Sequence, residues 1–272
     1  MLDKKFSLSK KYCLITGAAG LLGLEHAEAI LEINGNVILT DLNIVKLKSQ
    51  VKRMKHKFKD ADILYFKMDV SKLRDIEKVL NKLKKIKIEV DILINNAAVD
   101  AKVIKGPQKN LNSFESFSLK EWEKQIAVGL TGSMLCSKIF GSSMSKRHGG
   151  VILNIASDLS VIAPDQRLYS SSKNKKNYKP VTYSVIKHGL IGLTKYLSTY
   201  WPDKNIRCNS LSPGGVEFNQ SKEFKKKLKK LIPLNRMAQK SEYKSAIKFL
   251  CSDASSYMTG HNLIIDGGRS IW

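Results

Sequence analysis

The sequence predicts an α/β fold in which helices cover both faces of a parallel sheet of about seven strands. Apolar β-type runs without polar alternation recur along the chain, as expected of strands that are buried on both faces. Amphipathic helical stretches lie between these runs, which gives the alternation of strand and helix that is typical of a parallel sheet. The length of 272 residues is within the range of one domain. We therefore expect residues 1–272 to form a single domain.

The order of the elements follows from these runs. Strands are predicted at residues 12–16, 36–41, 63–70, 91–98, 150–157, 205–215 and 262–268. Helices are predicted at residues 21–33, 72–86, 119–147, 181–200, 220–231 and 241–252, with a further lysine-rich helix that ends near residue 58. The stretch 158–182 contains the polar run SSSKNKKNYKP and reads as a long loop. Long loops in compact domains are commonly functional, so we expect a function for this one.

A net charge of +23 is compatible with a nucleic-acid or membrane-surface partner. Only seven of the 47 basic residues are arginine, however, and the remaining 40 are lysines, many of them at helical spacing. Readout of nucleic acid favours arginine side chains interleaved with aromatic residues, and the sequence does not show this pattern. We therefore expect solvated lysine-rich helix faces and neither a nucleic-acid nor a membrane partner. The charge could still attract an anionic substrate.

The cysteines and histidines lack the spacing of a metal site or a disulfide framework. Cys13, Cys136, Cys208 and Cys251 form no CxxC pair, and three of them lie in apolar sequence, so we expect buried thiols. The five histidines are scattered, so no metal is expected. The basic N-terminus lacks the apolar stretch of a secretory signal, and no run approaches the ~18 apolar residues of a membrane span. These observations predict a cytoplasmic protein.

A glycine-rich turn, TGAAGLLG at residues 16–23, follows the first predicted strand and precedes the first predicted helix. Gly17, Gly20 and Gly23 would provide a tight turn, a close approach of the backbone to a pyrophosphate and close packing of helix on strand. The helix N-terminus would offer free N–H groups and the positive end of its dipole to the phosphates. The turn therefore predicts a dinucleotide site in a doubly wound, Rossmann-type sheet.

Asp41 ends the second predicted strand, where a carboxylate can accept hydrogen bonds from both hydroxyls of the adenosine ribose. The same carboxylate would repel a 2′-phosphate, and no basic residue immediately precedes it, so we predict NAD, with NADP the less favoured cofactor. Polar residues also end the next two strands, Asp69 with Val70 and Asn95 with Asn96. Three such strand ends at one edge of the sheet indicate a binding site.

Tyr183 and Lys187 form the best candidate pair for acid–base chemistry. Carbonyl reduction needs a proton donor next to the hydride acceptor, and the ordinary tyrosine pKa of about 10 is high for proton exchange at neutral pH. Lys187 follows Tyr183 by one helical turn in the sequence YSVIK, where its charge favours the phenolate. Ser157, at the end of the preceding strand, could orient the substrate oxygen.

These motifs together resemble the short-chain dehydrogenase/reductase family over nearly the whole chain. The matching stretches are TGAAGLLG at 16–23, Asp41, DV at 69–70, NNAA at 95–98, NIAS at 154–157, YSVIK at 183–187, SPGG at 212–215 and DGG at 266–268. The resemblance implies that Tyr183 is the acid/base, that Lys187 lowers its pKa and binds the nicotinamide ribose, and that Ser157 binds the reacting oxygen. Further cofactor contacts are implied at Leu22, Ala97, Pro213, Gly214 and Val216.

A closer resemblance is to the flagellin-modification protein A group of bacterial nonulosonic, legionaminic-type sugar pathways. It rests on residues 162–169, 180–201, 210–216 and 252–272. It implies an oxidoreductase that acts on a sugar, sugar phosphate or nucleotide sugar in surface-glycan biosynthesis, and family members are commonly homotetramers or homodimers. Two alternatives stay open, a nucleotide-sugar epimerase or dehydratase with tightly held NAD and a catalytically weak NAD-binding protein.

Two positions depart from the family pattern. Leu21 stands where compact family members usually have glycine, and the resulting 17/20/23 spacing is similar to that of the sugar-nucleotide-modifying members. Gly129 replaces the asparagine that helps to hold a water in the proton relay. We expect the Gly129 carbonyl or a nearby side chain to hold that water instead.

The gap between Ser157 and Tyr183 is about twice the family's usual length. A second YxxxK pattern begins at Tyr169 inside this gap, but the polar run that follows it is a poor helix. An apolar-periodic helix follows Tyr183, so we favour Tyr183 as the catalytic residue. The insertion at about 158–182 is then a predicted substrate lid. Its expected substrate contacts are Asp165, Gln166, Arg167, Tyr169 and Lys173.

Overall fold

A computed structural model describes residues 4–99, 112–170 and 177–272. In these ranges seven parallel strands form one sheet in the order β3-β2-β1-β4-β5-β6-β7. The strands are β1 Tyr12–Thr16, β2 Asn36–Asp41, β3 Ile63–Lys67, β4 Ile92–Asn95, β5 Gly150–Ile155, β6 Ile206–Pro213 and β7 Asn262–Ile265. The predicted α/β fold with its doubly wound parallel sheet is confirmed.

The helices pack on both faces of the sheet. They are α1 Leu21–Leu31, α2 Ile44–Lys57, α3 Leu73–Lys85, α4 Leu119–Ile126, α5 Gly132–Cys136, α6 Ser142–Lys146, α7 Val181–Tyr200, α8 Lys222–Lys229 and α9 Lys244–Cys251. Two π-helical turns, Ala127–Thr131 and Ser137–Gly141, connect α4, α5 and α6. The helix predicted at 119–147 is therefore one helical segment that contains two π-helical turns.

Strand side chains divide between two apolar cores, one on each face of the sheet. Ile15 and Leu39 belong to the core beneath α1 and α9, whereas their neighbours Leu14 and Ile38 belong to the core on the opposite face. Because successive strand residues point to opposite faces, a strand buried on both sides is apolar throughout. This division explains the unbroken apolar runs in the sequence. The carboxyl ends of the strands lie at one edge because all the strand pairs are parallel.

The strand order changes direction between β1 and β4, because β2 and β3 lie on one side of β1 and the later strands lie on the other. The chain winds outward from β1 in both directions, which leaves a crevice beyond the carboxyl ends of β1 and β4. Five strand predictions extend too far at their carboxyl ends, among them 63–70 and 91–98, because β3 ends at Lys67 and β4 at Asn95. Asp69 and Val70 therefore lie in the connection after β3 and not in the strand.

The four cysteines are free and buried, as the sequence predicts. Within the described ranges no group of three or more His, Cys, Asp or Glu side chains is placed to hold a metal ion. None of the helices described here is long and apolar enough to cross a membrane.

Candidate active site

The glycine-rich turn between β1 and α1 requires the absence of side chains at two positions. Gly17 has a φ of +61°, and a Cβ there would lie 2.8 Å from Ala97 Cα. A Cβ at Gly23 would lie 2.6 Å from the Gly17 carbonyl oxygen. Gly20 is the N-cap of α1, whose N-terminus no described side chain caps, and Leu22 packs on the core from the first turn. The bare turn and the open helix N-terminus fit the pyrophosphate of a dinucleotide.

Asn96 fastens the glycine-rich turn to the end of β4. Its Nδ2 donates to the carbonyl oxygens of Thr16 and Gly17 at 3.0 and 3.1 Å. The Thr16 hydroxyl in turn accepts from the amides of Asn96 and Ala97, both at 3.0 Å. The turn is therefore held in one conformation by side chains from the neighbouring strand end.

Asn95 points in another direction from Asn96. Its side chain is buried, and its Nδ2 donates to Ser137 Oγ at 3.0 Å and to Asn154 Oδ1 at 2.8 Å. The structure thus places this predicted cofactor residue in a bonded network that links β4, β5 and a π-helical turn. The asparagine beside the glycine-rich turn is Asn96.

Asp41 lies at the carboxyl end of β2, beside the glycine-rich turn. One carboxylate oxygen accepts from the Ala19 amide at 2.9 Å, and the other accepts from the Asn43 amide at 2.8 Å. An ionised carboxylate has about four acceptor positions, so two remain for the hydroxyls of a ribose. The geometry of Asp41 therefore fits the role that the sequence predicts for it.

Asp69 and Val70 lie at the same edge, in the connection after β3. Burial opposes ionisation of Asp69, but hydrogen bonds from Ser71, together with Lys72 at 3.5 Å, lower the pKa of its carboxyl overall. Val70 packs closely on the helical segment after α4, where a Cβ at Gly132 would lie 2.8 Å from Val70 Cγ2. Both residues border the crevice, where an adenine ring would lie.

Residues at the end of β6 complete this edge of the sheet. Pro213 is the last residue of β6, and the Gly214 amide donates to the Ile265 carbonyl at 2.8 Å. A Cβ at Gly214 would lie 2.7 Å from Asp266 Cα, so this backbone approach requires glycine. Val216 continues the edge with an isolated bridge to Ala238.

Lys187 ties the catalytic candidate helix α7 to the strand that leads to Ser157. Its buried ammonium donates to the Ile155 carbonyl at 2.8 Å and lies 5.7 Å from the centre of the Tyr183 ring. Burial, and after it the charge of Lys179, lowers the pKa of Lys187 from 10.5 to about 8. The structure therefore brings a cation, a phenol and the end of β5 together, as the sequence predicts.

Lys179 is a second cation at this point, and sequence reasoning assigned it no role. Its ammonium lies 3.7 Å from the centre of the Tyr183 ring, over the face of the phenol. The residue directly precedes Pro180, which is the N-cap of α7. Lys179 lies four residues before Tyr183, at the boundary of loop and helix, and this spacing could have indicated that the two side chains meet.

Ser157 follows β5 in an extended conformation and is buried. Its hydroxyl donates to Asp158 Oδ1 at 2.8 Å and accepts from the Leu159 amide at 3.2 Å. Asp158 also forms an ion pair with Arg269, with Nη1 and Oδ2 2.6 Å apart. The sequence predicts Ser157 but gives no indication of these two partners.

Hydrogen bonds within the insertion after Ser157 hold its described residues together. Asp165 accepts from the Arg167 amide at 3.0 Å and forms an ion pair with the Arg167 guanidinium at 2.8 Å. The Arg167 side chain is 88% exposed, so that pair lies at the surface. Gln166 Oε1 accepts from the Lys179 amide at 2.9 Å, which joins the two ends of the insertion.

Tyr169 lies at the inner side of the insertion. Its ring centre is 5.7 Å from that of Phe224 on α8, and burial raises the pKa of its phenol. Tyr169 belongs to a 3-10 turn and not to a helix that could place a lysine beside it. Lys173, the other half of this second YxxxK pattern and a predicted substrate contact, lies outside the described residues.

Gly129 lies in the π-helical turn Ala127–Thr131 and faces the catalytic candidate helix. A Cβ at this position would lie 2.8 Å from Ile186 Cγ2, so the close packing of the two helices requires glycine. The Gly129 carbonyl accepts from the Ser133 hydroxyl at 3.0 Å and keeps a second lone pair. An asparagine here would displace Ile186, so this helix contact fits glycine and not the asparagine of the family pattern. The relay water remains a prediction.

Comparison with known proteins finds relatives over nearly the whole chain. A family model described as Enoyl-(Acyl carrier protein) reductase matches residues 17–270. An NAD-dependent glycerol dehydrogenase of Listeria innocua is 33% identical over 274 residues, which cover 99% of this chain and 97% of that protein. A D-threitol dehydrogenase of Mycolicibacterium smegmatis is 29% identical over 279 residues, which cover 99% of this chain and 96% of that protein.

Solved structures show the same fold. A short-chain dehydrogenase of Leptospira borgpetersenii with bound NAD+ has a TM-score of 0.82 at 31% identity, covering 99% of this chain and 97% of that chain. A gluconate 5-dehydrogenase of Burkholderia cenocepacia, in complex with NADP and tartrate, has a TM-score of 0.85 at 24% identity, covering 98% of each chain. At that identity the second likeness concerns the fold alone.

Proposed function

Because the chain belongs to the short-chain dehydrogenase/reductase family, we propose that Tyr183, Lys187 and Ser157 transfer a proton while a hydride moves between a substrate carbon and NAD. The chain is an oxidoreductase of a family that binds NAD or NADP and acts on CH–OH groups of small molecules. The observation that carries the proposal is the position of Lys187, bonded to the end of β5 and beside the Tyr183 ring.

The residues divide the proton chemistry among them. NAD, when bound, supplies the hydride acceptor for alcohol oxidation. Tyr183 accepts the proton of the substrate hydroxyl as a phenolate, which the neighbouring Lys187 ammonium stabilises electrostatically. Lys179 adds a second positive charge over the same ring. Ser157 donates a hydrogen bond to the reacting oxygen and so fixes its position.

The cofactor that we propose is NAD. Asp41 keeps acceptor positions for two ribose hydroxyls, and its charge opposes a 2′-phosphate. The glycine-rich turn and the N-terminus of α1 would bind the pyrophosphate. Asp69, Val70, Ala97, Pro213, Gly214 and Val216 would border the rest of the cofactor. Comparison of turnover with NAD and with NADP tests this choice.

The proposed substrate is a sugar or polyol, a sugar phosphate or a nucleotide sugar. Two relatives are named for glycerol and D-threitol, which supports a polyhydroxyl compound. The cation Lys179 beside Tyr183 and the lysines of α8 next to the insertion favour an anionic group on that compound. The sequence resemblance adds the more specific proposal of a legionaminic-type surface-glycan pathway, with Asp165, Gln166, Arg167 and Tyr169 in a substrate lid.

We further propose a single-domain, cytoplasmic homo-oligomer. Buried free thiols fit a reducing compartment. The long helical segments expose large apolar side chains that a second copy of the chain would cover. These side chains are Leu119, Met134, Val185, Tyr196 and Tyr200.

A substrate screen tests the proposed function. Polyols, sugar phosphates and nucleotide sugars are incubated with NAD or NADP, and NAD(P)H formation is followed at 340 nm. We expect substrate-dependent NADH formation with at least one of them. The glycine spacing 17/20/23 favours a second candidate, an epimerase or dehydratase, which would convert a nucleotide sugar without net NADH. Absence of both NADH and product with every compound would refute the proposed substrate classes.

A further inference from the structure

The C-terminal segment returns to the catalytic edge of the sheet through two glycines after β7. Gly267 and Gly268 have φ angles of +70° and +90°, and a Cβ at either would lie 2.7 or 2.8 Å from a neighbouring side chain. The Asp266 carboxylate accepts from the amides of Gly268 and Ser270 at 2.9 and 2.8 Å. This turn directs Arg269 into the protein.

Arg269 ends in a buried ion pair with the residue that follows Ser157. Its Nη1 lies 2.6 Å from Asp158 Oδ2, and the two side chains are 7% and 4% exposed. Removal of one partner would leave the other charge buried and uncompensated, which is far more costly than the loss of an exposed pair. The pair therefore couples the chain's C-terminal segment to the catalytic strand end.

The Ser157 hydroxyl donates its only hydrogen to the Asp158 carboxylate. Ser157 Oγ donates to Asp158 Oδ1 at 2.8 Å, while the Leu159 amide lies 3.2 Å from Ser157 Oγ and 2.9 Å from Asp158 Oδ1. A serine hydroxyl has one hydrogen to donate. To bind a reacting oxygen as a donor, Ser157 must turn this hydrogen away from Asp158.

We propose that Arg269 is a positioning residue that allows the Ser157 hydroxyl to turn from Asp158 to the reacting oxygen of the substrate. The Leu159 amide continues to donate to Asp158 Oδ1 after the hydroxyl has turned, and Arg269 compensates the charge through Oδ2. Without Arg269 the carboxylate is a stronger acceptor and retains the hydroxyl, because hydrogen bonds to an uncompensated charge are stronger. The inference rests on the proposed role of Ser157.

The test compares Arg269→Met in two backgrounds, the natural chain and Ser157→Ala. The readouts are kcat and KM with NAD and the substrate that forms the most NADH in the screen, together with NADH binding by fluorescence. We expect Arg269→Met to lower kcat about 10- to 100-fold, the rate equivalent of one hydrogen bond to a charged group, with unchanged NADH binding. In the Ser157→Ala background it should change kcat less than about twofold, because Arg269 acts through Ser157.

Three further variants separate positioning from folding. Arg269→Lys keeps the charge and should retain most of kcat. Asp158→Asn/Arg269→Met removes both charges, and we expect it to recover kcat relative to Arg269→Met because a neutral amide holds the hydroxyl less strongly. Arg236→Met breaks an exposed ion pair with Glu242 and serves as the matched control with natural kcat. If Arg269→Met does not fold, Arg269→Gln, which removes the charge but keeps a hydrogen-bond donor for Asp158, is compared in both backgrounds with the same expected outcomes.

The outcomes are distinguishable. An equal loss of kcat on Arg269→Met in both backgrounds would overturn the inference and leave the proposed function intact, because the pair would then have only a structural role. Full kcat in Arg269→Met would also overturn it. Full kcat in Ser157→Ala would refute the role of Ser157, and the inference would fail with it.

Discussion

The contact between Gly129 and Ile186 gives a quantitative prediction about the catalytic helix. In Gly129→Ala the new Cβ would lie 2.8 Å from Ile186 Cγ2 and 3.1 Å from Ile186 Cδ1. Ile186 is β-branched and stiff at χ1, so it cannot move aside at low cost. Insertion of a methyl group into a packed contact of this kind costs about 1–3 kcal/mol.

Gly192→Ala is the matched control because it lies on α7 with no atom within 4 Å of its would-be Cβ. Both substitutions gain about 1 kcal/mol of helix propensity, so the difference between them isolates the contact. We expect Gly129→Ala to be about 1–3 kcal/mol less stable than Gly192→Ala in urea unfolding followed by circular dichroism. Ile186→Ala should remove most of this difference when it is combined with Gly129→Ala.

In Gly129→Asn the Cβ would meet Ile186 as in Gly129→Ala, and the side chain is larger. This variant should therefore lower turnover by moving α7 and with it Tyr183. Equal stabilities of Gly129→Ala and Gly192→Ala would refute the packing explanation for the missing asparagine. Higher turnover in Gly129→Asn would instead show that the natural chain has an impaired proton relay.

Three other predictions concern the cofactor, the buried lysine and the charge network. Asp41→Ser should raise the KM for NAD at least tenfold and improve the use of NADP, as measured by initial rates with both cofactors. Lys187 has a pKa of about 8 in the folded chain and 10.5 unfolded, so the unfolded state binds more protons between these values and stability rises with pH there. In urea unfolding without NAD, the free energy of unfolding of the natural chain should rise by about 3 kcal/mol relative to that of Lys187→Met between pH 7 and pH 10.5. A difference between the two that stays constant over this range would contradict the prediction. Lys244→Met should cost about 1–3 kcal/mol, because the Lys244 side chain is only 15% exposed and joins the carboxylates of Glu25, Glu28 and Glu32. The cost stays below that of breaking an isolated buried pair, because Lys240 still pairs with the buried Glu25 at 2.6 Å. A loss of less than about 0.5 kcal/mol in the free energy of unfolding would show that these ion pairs contribute no more than exposed surface pairs do.

The fold and the geometry of the candidate nucleotide site could be predicted from the sequence because their signals are local. Strands that are apolar on both faces give unbroken runs, and the glycine-rich turn needs glycine for steric reasons that Gly17 and Gly23 show directly. Asp41 follows from the same local pattern, since a strand end and a carboxylate coincide there. Tyr183 and Lys187 are one turn apart on a single helix, so helical periodicity was sufficient to pair them.

The rest of the site depends on contacts between distant parts of the chain. Arg269 meets Asp158 across 111 residues, and no periodicity connects them. Asn96 and Asn95 are adjacent, and only the exact end of β4 decides which of them faces the glycine-rich turn. Lys179 lies in a polar run that resembles a solvated loop, and its place over Tyr183 depends on how the insertion closes.

The central claim is that Tyr183, and not the tyrosine of the second YxxxK pattern, transfers the proton. Tyr183→Phe and Tyr169→Phe are compared for NADH formation with the best substrate of the screen and for NADH binding by fluorescence. Loss of general acid–base catalysis typically costs 10²–10⁴-fold, so we expect Tyr183→Phe to lose about that factor with NADH binding retained. Tyr169→Phe should keep its turnover within about tenfold, because its ring packs on Phe224 and its phenol has no part in the proposed proton transfer. Natural turnover in Tyr183→Phe, with the large loss in Tyr169→Phe, would contradict the account.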